Sequence, residues 1–196
     1  MQLFKTLTDA RLVRALKQGR VGVLPTDTVY GIVCSALNKP AVARLYRVKQ
    51  RENKPGTVIA ANASQLAELG ISAEAINRVA HLWPNPVSVV LPADDELFYL
   101  HRGLGSLAVR IPASEPLRTL LEQTGPLLTS SANQPTETPA ATVPEAQKYF
   151  GEAVDFYTDA GKRLEPVPST LVRLEPNSEL TMLRQGAGIL KEGAKR

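Results

Sequence analysis

Two stretches carry residue types that could do chemistry together. Pro25-Thr26-Asp27-Thr28-Val29-Tyr30-Gly31 places two threonines, a carboxylate and a glycine directly after the apolar run 21–24. Lys49-Gln50-Arg51-Glu52-Asn53-Lys54 gathers three cations where a helix should end. Arginine presents a planar fork of donors to a carboxylate or phosphate, lysine a point charge, and hydroxyls and amides fix orientation. The first stretch suits a small hydroxylated substrate and the second a polyphosphate. Arg110, Ser131 and Asn133, each near the end of an expected strand, add a guanidinium, a hydroxyl and an amide where open α/β sheets build their sites. Such a site would catalyse by positioning and charge neutralisation, without a protein nucleophile. Taken singly, the cations read as a solvated helix end, favoured there by the helix dipole, and Ser131-Ala132-Asn133 as a turn. Their joint placement is what points to a site.

Other catalytic signatures are absent. The chain has no G-x-x-x-x-G-K-[ST] loop, no H-E-x-x-H and no G-x-S-x-G elbow. Gly103-Leu104-Gly105-Ser106-Leu107-Ala108 matches G-x-G-x-x-A, yet it precedes an expected strand where a dinucleotide fingerprint follows one, so it reads as a loop. His81 and His101 have no base or orienting group nearby in sequence and read as incidental; Cys34 reads as a small buried residue.

The elements that must position the candidate residues follow from periodicity and caps. A helix is expected over 9–18 with Thr8 as N-cap and Gly19 as its stop. A strand over 21–24 then runs into an exposed loop holding Thr26 to Thr28. Asn38 caps a second helix, Pro40 fits its first turn, and Ala41, Val42, Leu45 and Val48 form its apolar stripe, so it delivers Lys49 and Arg51 at its C-terminal end. Strands are expected over 57–61, 87–91, 106–111 (carrying Arg110), 127–129, 153–157, 170–174 and 180–183. Helices fall over 64–69 and 73–82, from Ser114 through 123, and from Thr142 through 150. This alternation predicts an α/β layered domain with a mixed sheet, one domain over 1–190, with 191–196 a frayed tail.

Composition sets the outer bounds. At 196 residues, 43% hydrophobic and 21% charged, the chain can bury a full core without disulfide or metal. A single cysteine rules out an intramolecular disulfide and suits a reducing compartment. Lys5, Asp9, Arg11 and Arg14 interrupt any signal-peptide pattern, and no apolar run reaches the roughly 20 residues of a membrane span. A cytoplasmic address with no membrane partner is expected. The net charge of +4 suits an anionic ligand or weak RNA binding without announcing a nucleic-acid protein.

The ordered motifs resemble the YrdC/TsaC family of threonylcarbamoyl-adenylate synthases in its short form. The likeness runs over about 21–186. It is carried by Pro25 through Gly31 (family PTETVYG), Lys49-Gln50-Arg51 (K-x-R), Ser131-Ala132-Asn133 (S-x-N) and Trp83-Pro84-Asn85-Pro86 (W-P-G-P). Leu107-Ala108-Val109-Arg110, Pro168-Ser169-Thr170-Leu171-Val172 and Leu183-Arg184-Gln185-Gly186 complete the series. Asp27 stands where the family has glutamate, and Glu52 where a proline follows K-x-R. The resemblance implies a twisted, open mixed sheet with flanking helices and a concave basic face. It implies an enzyme that joins L-threonine, bicarbonate or carbon dioxide, and ATP into threonylcarbamoyl-AMP and pyrophosphate. The product would pass to the tRNA-modification machinery that builds threonylcarbamoyladenosine beside the anticodon. It assigns Thr28, Arg110, Ser131 and Ser169 to threonine, and Arg51, Lys54, Asn133 and Arg184 to the nucleotide. Lys49 and Arg51 would be the catalytic cations, with Mg2+ arriving on ATP and no metal site of the protein's own. The rival reading is an RNA-binding or ribosome-maturation factor using the same basic concavity.

Overall fold

A computed structural model describes residues 1–50, 54–162 and 167–190. Arg51 and the tail 191–196 therefore lie outside the described residues. The elements are β1 (Gln2–Phe4), α1 (Ala10–Lys17), β2 (Gly22–Pro25), β3 (Tyr30–Ser35), α2 (Lys39–Val48), β4 (Thr57–Ile59), α3 (Ala63–Leu69), α4 (Ala73–Val79), β5 (Val87–Pro92), α5 (Phe98–His101), β6 (Ser106–Arg110), α6 (Glu115–Thr124), β7 (Leu127–Ser131), α7 (Val143–Phe150), β8 (Phe156–Thr158), β9 (Thr170–Leu174) and β10 (Leu180–Arg184). The strands form one open sheet in the order β1-β8-β2-β3-β7-β4-β6-β5-β9-β10. The pairs β1–β8, β2–β8, β4–β6 and β5–β9 are parallel and the others antiparallel, so the sheet is mixed, as expected.

Strand side chains alternate between the two faces of a sheet, and the core divides accordingly. Leu24, Val33, Ile59, Leu127 and Phe156 face α1 and α6, where Leu12, Leu16, Leu117, Leu120 and Leu121 cover them. Their chain neighbours Val23, Ile32, Val58 and Leu128 join Val42, Leu45, Leu66, Ile76, Ala146 and Phe150 of the opposite helices. The result is three layers with helices on both faces. Among the described residues no helix is long and apolar enough to cross a membrane.

Local chemistry sets the ends of the elements that carry the candidate residues. Asn38 Oδ1 accepts the Ala41 N–H at 3.0 Å and starts α2, with Pro40 in its first turn. Ser114 and Thr142 cap α6 and α7 as their sequences imply. At α1 the expectation fails: Asp9, not Thr8, is the N-cap, accepting from the Arg11 N–H at 2.8 Å. A carboxylate complements the positive helix end better than a hydroxyl does, and the Thr8 hydroxyl is engaged with that of Thr6.

The larger departure lies after β2. Thr26 to Thr28 do not form an exposed loop; Thr26 is 2% exposed and Thr28 7%. They make the turn of a β2–β3 hairpin near the middle of the sheet, where polar groups need partners. The Thr26 hydroxyl supplies them: it donates to the Val29 carbonyl at 2.6 Å and accepts the N–H groups of Thr28 and Val29, each at 3.2 Å. Gly31 then pairs with Ser131 across β3 and β7, where a Cβ would stand 2.5 Å from the Thr129 hydroxyl. The close approach requires glycine. It also extends β7 through Ser131, two residues past the expected end.

Candidate active site

Most of the candidate residues stand where strands end. Thr28 lies in the β2–β3 turn, Arg110 is the last residue of β6, Ser131 the last of β7, and Arg184 the last of β10; Ser169 immediately precedes β9. Together they line a cavity of about 180 Å³ with Thr26, Gly56, Thr129 and Leu171. The strand order explains the convergence. Residues far apart in sequence come from neighbouring strands, so their ends meet.

The cavity is organised around Arg110, which is 3% exposed. Its Nη2 donates to Asp27 Oδ1 at 3.0 Å, and both side chains are 4% exposed. Asp27 Oδ2 accepts the Ala113 N–H at 3.0 Å, which fixes the carboxylate. Arg110 Nη1 lies 3.5 Å from Ser88 Oγ, Ser88 Oγ is 2.9 Å from Ser169 Oγ, and Arg184 Nη2 donates to Ser169 Oγ at 3.4 Å. Arg184 also donates from Nε and Nη2 to the Ser169 carbonyl, at 3.2 and 2.8 Å. Gly186 permits this approach, since a Cβ there would meet the Pro168 carbonyl at 2.3 Å. Burial lowers the Arg110 pKa; the charge of Asp27 raises it, and that of Arg184 lowers it again, leaving it below its ordinary value. Arg184 is likewise lowered by partial burial. Arg110 Nε is buried with no hydrogen-bond partner. A buried donor without an acceptor is costly, and an entering anion would relieve it.

A second, larger cavity of about 870 Å³ opens beside the first. Lys49, Lys54, Asn133, Tyr46, Arg47 and Arg102 line it, and Ser131 belongs to both cavities. Its volume falls in the range of small-molecule and cofactor sites. Lys49, the C-cap of α2, is 4% exposed and hence no solvated helix end. Its ammonium donates to the Asn133 carbonyl and, at 2.8 Å, to Asn133 Oδ1. Asn133 Nδ2 donates to the carbonyls of Gln134 and Glu137, at 3.0 and 2.6 Å. Lys49 and Asn133 therefore hold the loop after β7 as one unit. Arg102 spreads over the Tyr46 ring at 4.9 Å, a cation–π contact at the cavity wall.

The structure thus brings Thr28, Arg110, Ser131 and Ser169 to the smaller cavity, and Lys49, Lys54 and Asn133 to the larger. Arg184, grouped with the nucleotide residues on its motif, lines the smaller cavity instead. Sequence reasoning missed Ser88 and Arg102. The signal for Ser88 was present, a lone hydroxyl inside the apolar run Val87-Ser88-Val89-Val90-Leu91. No comparable signal marks Arg102. His101 is structural: its Nδ1 accepts the N–H groups of Gly103 and Gly105, at 3.1 and 3.2 Å. Cys34 is buried, with its thiol pKa raised by that burial.

Fold and site define an α/β protein with a small guanidinium-walled cavity joined to a larger cationic one. A model of the Sua5/YciO/YrdC family, described as telomere recombination, matches residues 14–186, and the chain belongs to that family. It is 38% identical over 157 residues to a threonylcarbamoyl-AMP synthase of Coxiella burnetii, covering 77% of this chain and 83% of that one. It is 34% identical over 185 residues to the threonylcarbamoyl-AMP synthase of Vibrio vulnificus, covering 90% and 97%. The crystal structure of P. abyssi Sua5 complexed with L-threonine superposes with a TM-score of 0.82 at 27% identity, covering 95% of this chain and 58% of that one. The present chain therefore spans somewhat over half of that protein. E. coli YciO shares the fold over 97% of this chain, at a TM-score of 0.81 and 23% identity.

Proposed function

We propose that the chain is a threonylcarbamoyl-AMP synthase, an ATP-using adenylyltransferase that combines L-threonine, bicarbonate or carbon dioxide, and ATP. The observation that carries this reading is the pair of cavities sharing Ser131, one sized and charged for an amino acid and the other for a nucleotide. Threonine enters the smaller one. Its carboxylate meets Arg110, whose unpaired Nε supplies a donor, while the hydroxyls of Thr28, Ser131 and Ser169 orient the rest. ATP enters the larger one, against Lys54 and the Lys49–Asn133 unit; Arg51, on its motif, is assigned to the same ligand. The threonine amine then lies toward Ser131, where the cavities meet.

The chemistry follows from that placement. The threonine ammonium first gives one proton to water; the neutral amine then adds to the carbon of bicarbonate, an N–C bond forms, and water leaves with the bicarbonate hydroxyl and one amine proton. A carbamate oxygen attacks the α-phosphorus, and the bond to pyrophosphate breaks. No protein nucleophile is needed. Charge on the phosphates rises toward the transition state, and pre-placed cations stabilise it without reorganising. Among the described residues no group of three His, Cys, Asp or Glu is placed to hold a metal. Mg2+ would instead arrive on ATP, held by phosphate oxygens and water. Cytoplasmic tRNA-modification machinery is the recipient of the product.

Pyrophosphate release tests the reading. It should need threonine and bicarbonate together; release at the same rate without threonine would refute it. The rival RNA-binding reading uses the cations of the larger cavity but leaves the buried Arg110 without a role. It would show as salt-dependent, sequence-blind RNA affinity with no turnover.

A further inference from the structure

Away from the two joined cavities, a third of about 440 Å³ opens at the opposite end of β2 from the Thr26–Thr28 turn. Gln2, Arg11, Arg14 and Arg20 line it, together with Glu152 and Asp155. Its charges are unequally matched. Arg11 donates to Asp9 at 2.7 Å, while Asp155 is held by Arg44 at 2.6 Å and faces Arg20 at 3.5 Å. Among the described residues the Arg14 side chain has no partner. Arg11, Arg14, Arg20 and Arg44 thus outnumber Asp9, Glu152 and Asp155, and the surplus cation faces the cavity.

The cavity borders a sheet edge. Among the described residues β1 pairs with β8 alone, so its other side is unpaired. The Gln2 N–H donates to the Asp155 carbonyl, and the Phe4 carbonyl accepts the Asp159 N–H, both at 2.9 Å. Backbone groups alternate in direction along a strand, so the N–H and C=O of Leu3, between them, face outward. Side chains alternate as well. Gln2 and Phe4 lie on the α1 face, where the Arg11 guanidinium covers the Phe4 ring at 5.7 Å. Leu3 projects from the other face and is 49% exposed.

We propose that this edge takes an added strand, an extended segment of a partner protein that alternates acidic and apolar side chains. Its backbone pairs with Leu3, its acidic side chains meet Arg14 and Arg11, and its apolar ones cover Leu3. The spacing fits. Residues on one face of a strand repeat every ~6.7 Å, and residues one helical turn apart, as Arg11 and Arg14 are, stand about 5–6 Å apart. A second copy of this chain is a poor occupant. Antiparallel pairing of β1 with β1 about a two-fold axis continues the sheet, puts both α1 helices on one face and sets their arginine rows against each other. An acidic segment meets no such repulsion. Because the edge lies beyond the far end of β2, the bound segment leaves the candidate active site open, whatever reaction that site performs.

The test titrates the full chain, by calorimetry, with a short end-capped peptide of alternating Glu and Val. A peptide of the same composition with all Glu before all Val, and a single-stranded oligouridylate, serve as comparisons. The alternating peptide should bind about 10- to 100-fold more tightly than the block peptide, which cannot place successive acids on the α1 face. Arg14→Glu should weaken it by a similar factor, the loss of a hydrogen bond to a charged group. Leu3→Pro removes the outward N–H, leaves the bonds to β8 intact and is the kind of change an edge strand tolerates; it should weaken binding by about 2- to 10-fold. Circular dichroism shows that the variants are folded, and Arg14→Glu, at an exposed helix position, carries the test alone if Leu3→Pro does not fold. No binding of the alternating peptide at about 1 mM would overturn the proposal. So would equal affinity for the two peptides, or a folded Leu3→Pro that binds like wild type, since either means charge without strand pairing. Displacement of the peptide by ATP would place it in the larger cavity and overturn it too. If oligouridylate binds, weakens in Arg14→Glu and the peptide does not bind, the edge is a nucleic-acid contact instead.

Discussion

The ion pair between Asp27 and Arg110 should be the most sensitive electrostatic contact in the molecule. Asp27→Asn keeps the shape and one acceptor but removes the negative charge from a pair in which both side chains are 4% exposed. Breaking a buried pair from one side costs about 3–5 kcal/mol, because the remaining charge stays desolvated. Two features favour the lower end. The asparagine oxygen can still accept from Arg110, and the adjoining cavity admits water. We therefore expect a loss of about 3 kcal/mol, which for a chain of this size lowers Tm by about 6–12 °C. The molecule supplies its own control. Glu74 and Arg78 form an i,i+4 pair at 2.6 Å, shorter than the 3.0 Å of Asp27–Arg110, but their side chains are 75% and 41% exposed. Glu74→Gln should cost about 0.3–0.5 kcal/mol and about 1–2 °C. Thermal unfolding of the two variants side by side decides whether burial or distance governs. If Asp27→Asn melts within 2 °C of Glu74→Gln, on the scale of ~2–4 °C per kcal/mol, Asp27 is not the counter-charge that holds Arg110.

Three further outcomes follow. Arg110→Lys retains the charge but not the planar fork, so threonine affinity should fall by about 10- to 100-fold while ATP binding holds, read by calorimetry with each ligand alone. Arg51→Ala should lower turnover at saturating substrates by roughly 10²–10³-fold, as for one preorganised donor, with circular dichroism unchanged; equal turnover would remove it from catalysis. Asp155 should shape acid stability. It accepts from Arg44 at 2.6 Å and from the Val21 N–H at 2.9 Å, and faces Arg20 at 3.5 Å. Burial raises its pKa, but the hydrogen bonds from Arg44 and Val21 and the charges of Arg44 and Arg20 outweigh it, so the pKa is lowered on folding. A carboxyl lowered on folding adds stability that is present above its unfolded pKa of about 3.9 and lost as pH falls through the folded one. The urea midpoint of wild type should exceed that of Asp155→Asn at neutral pH, and the gap should close below about pH 4. A gap unchanged down to about pH 2 would show that Asp155 titrates alike folded and unfolded.

What could be read in the sequence divides along a physical line. Local signals sufficed where one residue decides the outcome: Asn38, Ser114 and Thr142 each cap the helix their spacing implies, because a cap needs only a side chain and an N–H two or three residues on. Most strands were legible as apolar runs, but their ends were not: β7 runs through Ser131 where 127–129 was expected, and β8 is Phe156–Thr158 where 153–157 was expected. Pairings that depend on strand order were not legible either. Asp27 and Arg110 are 83 residues apart, and nothing near either announces the other. They meet because the sheet order brings β3, β7, β4 and β6 side by side and puts the β2–β3 turn near the end of β6. β3 itself escaped notice because Tyr30-Gly31-Ile32-Val33-Cys34-Ser35 is apolar on both faces. A strand buried on both sides has no alternation to betray it. The Thr26–Thr28 turn looked exposed for a related reason: hydroxyls in sequence suggest solvent, whereas here the Thr26 hydroxyl takes the place of water for a buried turn. Polar residues beside a buried strand are therefore ambiguous until their partners are known. Where those partners are already supplied, as for Thr26, the role is structural. Where a donor is left over, as at Arg110 Nε, the same burial becomes the mark of a site.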